Sequence, residues 1–181
     1  MAKLRTPVTS RDHIQGPEDA PLTLVEYGDY ECPSCGSAYP IVKRVQENFG
    51  KRLRFVFRNF PLSEIHPHAE SAAETAEFAA AEGRFWDMHD LLFENQEQLS
   101  EALYSELADE LGLSPTALRQ ALEVSKYKDR VRTDFSSGVR SGVNGTPTFF
   151  INGTRHDGPF DYETLVSALR EKNGKGNTVI A

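Results

Sequence analysis

Cysteine is scarce: only two of 181 residues, Cys32 and Cys35, and both fall in one Cys-x-x-Cys. A secreted scaffold stapled by disulfides uses more, so that class is excluded and these two thiols are read as reactive. Long hydrophobic runs are missing too. Nothing approaches the roughly 20 apolar residues of a membrane-spanning helix, and the longest candidate, Thr148-Phe149-Phe150-Ile151, reads as a buried strand. Positive charge is short, with 20 Lys and Arg against 27 Asp and Glu and a net charge of −7. An acidic surface repels phosphate backbones, so neither nucleic acid nor a membrane is an expected partner. The densest basic run, Lys51-Arg52-Leu53-Arg54, leads into an apolar strand as its solvated edge. The first ten residues lack the apolar core of a signal peptide. As it stands the sequence reads as cytoplasmic; with a signal removed and a new Met added, it reads as periplasmic.

What is present is an ordinary globular composition, 39% hydrophobic and 26% charged, in a chain long enough for one core and an insertion. Residues 1–16 are polar and read as a loose arm, with a short edge strand possible at His13-Ile14-Gln15-Gly16. Leu22 to Tyr27 is a β-prone run closed by Gly28-Asp29 and reads as a central strand. A helix is expected from Pro33 to Phe49, opened by a first-turn proline, stopped by Gly50 and kinked at Pro40. Leu53 to Phe57 reads as the next strand.

From 63 to 142 the pattern is helical throughout. An alanine-rich helix starts at Pro67 and stops at Gly83; Phe85, Met88 and Leu92 stripe a second; Leu103, Leu107 and Leu111 a third. Ser114-Pro115 caps a fourth, and Tyr127, Val131, Phe135 and Val139 recur every four residues in a fifth. Each stripe is read as core packing. Thr148 to Ile151, the turn Asn152-Gly153 and Thr154 to His156 form a hairpin, and Asp161 to Arg170 a closing helix. The division expected is a core domain of residues 17–62 and 143–172, interrupted by a helical insertion of 63–142, with a flexible tail of 173–181.

Disulfide exchange needs one thiol ionised at working pH and a second that displaces the captured substrate. Cys32 falls at the start of a helix, where free N–H groups and the macrodipole favour an anion. Such a place lowers a thiol pKa from about 8.5 to between about 3.5 and 7.5. Cys35, one turn on and deeper, reads as the resolving thiol. Pro33 and Ser34 between them add no positive charge. A structural zinc site wants four ligands, and His66 and His68, split by a helix-starting Pro67, are poorly placed to supply two. They read as cap and surface residues, and no metal or cofactor is expected. Glu26 is open between a surface carboxylate and a buried acid. Pro147, directly before a β-run, is open between a cis bond and a trans strand-start proline.

The segments Glu26-Tyr27-Gly28-Asp29-Tyr30-Glu31-Cys32-Pro33-Ser34-Cys35 and Gly145-Thr146-Pro147-Thr148-Phe149-Phe150-Ile151-Asn152-Gly153, with Phe85-Trp86-Asp87-Met88-His89-Asp90, resemble the DsbA-like branch of the thioredoxin superfamily. The resemblance covers about residues 16 to 171. It implies an α/β thioredoxin-like fold with an all-helical insertion between its halves. It implies a cis bond before Pro147, Thr146 presenting its backbone to an extended substrate, and Glu26 as a buried acid that tunes thiol ionisation. The better-known periplasmic oxidants of this branch carry a histidine where Ser34 stands. That implies a weaker oxidant, with a Cys32 pKa in the upper part of the lowered range.

The expected function is therefore a thiol–disulfide oxidoreductase acting on protein thiols or disulfides, recycled by a small thiol or another oxidoreductase. The alternatives are a redox-sensing or partner-binding module and, against the intact Cys32/Cys35 pair, a glutathione-dependent transferase or isomerase.

Overall fold

Along strand β2 (Leu22–Gly28) the side chains alternate between faces, and both faces are buried. Leu22 and Leu24 join one apolar cluster, Val25 and Tyr27 another on the opposite side. A strand that is apolar on both sides belongs at the centre of a sheet. In the computed structural model, which describes residues 1–174, β2 is the middle of five strands. The order is β1 (His13–Gln15), β3 (Leu53–Asn59), β2, β4 (Thr148–Ile151), β5 (Thr154–His156). Only β2 and β3 run parallel, and α1 (Pro33–Phe49) connects them. The fold is thioredoxin-like.

Between β3 and β4 lie α2 (Ala69–Ala81), α3 (Phe85–Glu94), α4 (Glu101–Glu110), α5 (Pro115–Glu123) and α6 (Lys128–Arg140). Serine caps start two of them: Ser100 Oγ accepts from Leu103 N and Ser114 Oγ from Ala117 N. Each such cap contributes about 1 kcal/mol. The alanine-rich helix begins at Ala69, two residues past Pro67. Helix α7 (Tyr162–Gly174) closes the chain and extends beyond the expected Arg170, taking in two residues of the expected tail. The rest of that tail, 175–181, lies outside the described residues.

Two expectations fail. The arm of residues 1–16 is not loose. Leu4 N donates to Gly153 O and Arg155 N to Ala2 O, while Arg58 donates to the carbonyls of Thr6 and Pro7. Val139, counted in the α6 stripe, is 53% exposed, whereas Val131 is buried and Phe135 packs against the cluster around Phe60. A four-residue repeat drifts around a helix of 3.6 residues per turn, and by its fourth member it has left the core face.

Candidate active site

Cys32 is the N-cap of α1, with extended backbone (φ −68°, ψ 121°) and Pro33 following at the first helical position. The proline suits that place because its missing N–H has no helical partner to lose. The cap has no side-chain hydrogen bond of its own, so the amides of Ser34 and Cys35 are left facing the Cys32 sulfur. Both cysteines are free thiols. Cys32 keeps 7% of its surface exposed and Cys35 none.

The two thiols are shifted in opposite directions. Cys32 is pulled down to about 5, first by the hydrogen bond from Cys35, with burial opposing, and then by Thr146 and the amides of Cys35 and Ser34. This corrects the expectation of a thiol in the upper part of the lowered range. The lowering comes from the partner thiol, Thr146 and the helix amides, with no cationic side chain between the cysteines. Cys35 is raised well above its ordinary value, chiefly by burial, then by its bond to Cys32 and the charge of Glu26. The Asp29 amide donates to Cys35 Sγ at 3.4 Å.

Glu26 lies on β2 opposite Phe57 on one side and Phe149 on the other, 3% exposed. Its Oε1 has no hydrogen-bond partner. Burial, and secondarily the charge on Cys32, pushes it up to about 8. A carboxyl so placed is protonated when Cys32 is ionised, and so does not oppose the thiolate as an anion would. The bond between Thr146 and Pro147 is cis, and the Thr146 carbonyl lies 3.4 Å from Cys32 Sγ. The structure thus brings Glu26, Cys32, Pro33, Ser34, Cys35 and Thr146–Pro147 to one end of the sheet.

Other residues here were given no role in the site by the sequence. Asp29, its side chain fully buried, accepts from Leu62 N at 2.9 Å and pairs with His66 Nδ1 at 2.7 Å. His66 is therefore no cap, and His68, the N-cap of α2, makes no side-chain cap bond. Tyr30 Oη and His89 Nδ1 share a hydrogen bond at 3.0 Å; burial drives the His89 pKa well below its ordinary value, leaving a neutral ring. Gln96 Nε2 donates to the carbonyls of Tyr30 and Cys32, both at 2.8 Å. Only Asp29 had a local signal, its place in the loop before Cys32. Among the described residues, no group of three or more His, Cys, Asp or Glu is arranged to hold a metal ion.

The thioredoxin family model matches residues 8–171. Among solved structures, oxidised BdbD from Bacillus subtilis superposes with a TM-score of 0.85 at 27% identity, covering 94% of this chain and 97% of that one. Wolbachia pipientis alpha-DsbA1 gives 0.80 at 21% identity, over 95% of each chain. Among curated proteins, the Na(+)/H(+) antiporter NhaA 3 of Salinispora tropica is 44% identical over 159 residues, 88% of this chain and 24% of that protein. The antiporter NhaA of Herminiimonas arsenicoxydans is 41% identical over 158 residues, 87% of this chain and 25% of that protein. The chain thus spans about a quarter of the length of these relatives. No helix among its described residues is long and apolar enough to cross a membrane.

Proposed function

The chain belongs to the thioredoxin family, and from that premise we propose that it is a DsbA-like member that exchanges dithiol and disulfide with protein substrates. The observation that carries this reading is the opposite poise of two thiols three positions apart: Cys32 down to about 5, Cys35 raised by burial.

In the reducing direction, Cys32 thiolate attacks one sulfur of a substrate disulfide and the other sulfur leaves as thiolate. Glu26, once it has released its own proton to solvent, accepts the proton of Cys35. Cys35 attacks Cys32 Sγ, and the second substrate sulfur departs as thiolate. Two electrons pass from the Cys32/Cys35 pair to the substrate. In the oxidising direction, a substrate thiolate attacks Cys32 in the disulfide, and Cys35 leaves as a thiolate that takes the proton from Glu26. A second substrate thiolate then attacks the first substrate sulfur, Cys32 leaves as thiolate, and two electrons pass from the substrate to the Cys32/Cys35 pair. A group with a pKa near 8 serves in both directions close to neutral pH. Pro33 and Ser34 set the turn that aims the amides, and the Thr146 backbone borders the attacking sulfur on the side open to a substrate strand. No cofactor or metal enters the scheme.

The test is mixed-disulfide trapping with a reduced or oxidised model protein. Cys32→Ser is expected to abolish exchange, and Cys35→Ser to accumulate a lasting adduct through Cys32. A stable adduct on Cys32→Ser instead reverses the assignment. Multiple turnovers by the parent support an enzyme; a single stoichiometric event points to a redox switch.

A further inference from the structure

Each residue from Asp29 to Cys32 is bonded to the segment that follows β3. Asp29 takes Leu62 N and His66, Tyr30 meets His89, Glu31 accepts from His68 N, and Cys32 O accepts from Gln96. The Gln96 contact differs from the others in reaching the backbone of the attacking cysteine itself. Its amide has two N–H groups and two acceptors in place, the carbonyls of Tyr30 and Cys32 at 2.8 Å each. The Cys32 carbonyl also takes the first helical bond of α1, from Gly36 N at 3.0 Å.

Gly36 supplies a second, independent observation. It sits in the regular first turns of α1 with no left-handed φ, so backbone conformation does not require glycine there. Glycine weakens a helix interior relative to alanine. What it provides is room: a Cβ at Gly36 would lie 2.1 Å from Gln96 Oε1 and 2.9 Å from its amide carbon.

We propose that Gln96 is a positioning residue for the Cys32 sulfur, its amide fixing the Tyr30–Cys32 backbone against the first turn of α1, and that Gly36 is glycine to admit that amide. Gln96 touches no reacting atom. It acts through the turn, holding the Ser34 and Cys35 N–H groups where they face the sulfur. The inference rests on Cys32 as the attacking thiol.

The experiment uses the full chain, reduced, with two readouts: thiolate ultraviolet absorbance against pH, and the equilibrium with glutathione. Gln96→Met keeps the length of the side chain and removes both donors. It is expected to raise the thiolate midpoint by about one pH unit and to shift the glutathione equilibrium up to about tenfold toward the protein disulfide. Gly36→Ala leaves Gln96 in the chain but takes its space, and is expected to move both readouts the same way. The double variant is expected to move them no further than either single, since both changes break one contact. Folded Gln96→Met and Gly36→Ala proteins with parental midpoints and equilibria overturn the proposal, as does an additive double variant. If Gln96→Met does not fold, Gly36→Ala decides alone. The absorbance titration reads the sulfur whether or not the chain turns over a substrate. A parent without exchange activity therefore defeats the proposed function and leaves this inference standing on its own result.

Discussion

Two ionisable side chains lie buried on opposite faces of the same sheet, and the fold treats them differently. Arg58, on β3, is 2% exposed, and all five guanidinium donors are used. Nε and Nη2 bind the Asp12 carboxylate at 2.7 and 3.1 Å, and the rest reach Tyr27 Oη and the carbonyls of Thr6 and Pro7. Glu26, on β2, is equally buried but carries an oxygen with no partner, beside a small cavity whose polar lining, Gln15, Lys43 and Gln46, makes no hydrogen bond to it. The first charge is compensated and holds the N-terminal arm to the sheet. The second is left uncompensated, and the consequence is a carboxyl that titrates near neutral pH beside two thiols. Burial with compensation fixes Arg58 as a structural charge; burial without it moves the Glu26 titration up to about 8.

The largest effect is expected where compensation is broken. Arg58→Met leaves Asp12 buried without its cation, and removing one partner of such a pair costs about 3–5 kcal/mol. Urea denaturation is expected to register that loss while the Cys32 titration stays in place. A shifted thiol with little loss of stability would mean that the two regions are not separate.

Glu26→Gln tests the other region. Its carboxyl ionises at the ordinary value near 4.5 when the chain is unfolded and near 8 when folded. Between those values the folded state alone keeps the proton, so the parent loses stability as pH rises from about 4.5 to 8. That loss is on the order of 5 kcal/mol. Glutamine does not titrate. The stability advantage of Glu26→Gln over the parent is therefore expected to grow across that window and level off above it, with slower resolution of mixed disulfides by Cys35. A difference that stays flat with pH would place the carboxyl in solvent or in an ion pair.

Much of this was legible in the sequence because it is local. The Cys-x-x-Cys before a helix, the β-prone run Leu22–Tyr27 closed by Gly28-Asp29 and the Asn152-Gly153 turn each act within a few residues. Asn152 and Gly153 take the positive φ values, 46° and 76°, that such a turn needs. The grip on the active-site loop was not legible. Gln96 lies 64 positions from Cys32 and His66 37 from Asp29, and neither sits in a periodic pattern that points to its partner. The arm was misread for the same reason: its polar residues signal solvent until a buried Arg58 is known to lie beneath them.

The smallest effect is expected at Ser34. With Cys32 already at about 5 through its neighbour's thiol and the helix amides, a histidine between the cysteines has little left to add. Ser34→His is expected to lower the midpoint by less than about one unit, within the span open to such thiols. A larger drop, with the glutathione equilibrium moving to match, would show that the amides carry less of the load than the geometry gives them.

The most direct measurement is the thiolate absorbance of the reduced protein followed from pH 3 to pH 9, roughly the span between an acidic and an ordinary thiol. The expected result is one thiolate appearing with a midpoint near 5, absent in Cys32→Ser and still acidic in Cys35→Ser, whose hydroxyl can donate to the sulfur in place of the thiol. A protein with no thiolate below pH 8, or one whose acidic thiolate survives Cys32→Ser, would contradict the assignment of Cys32 as the poised sulfur.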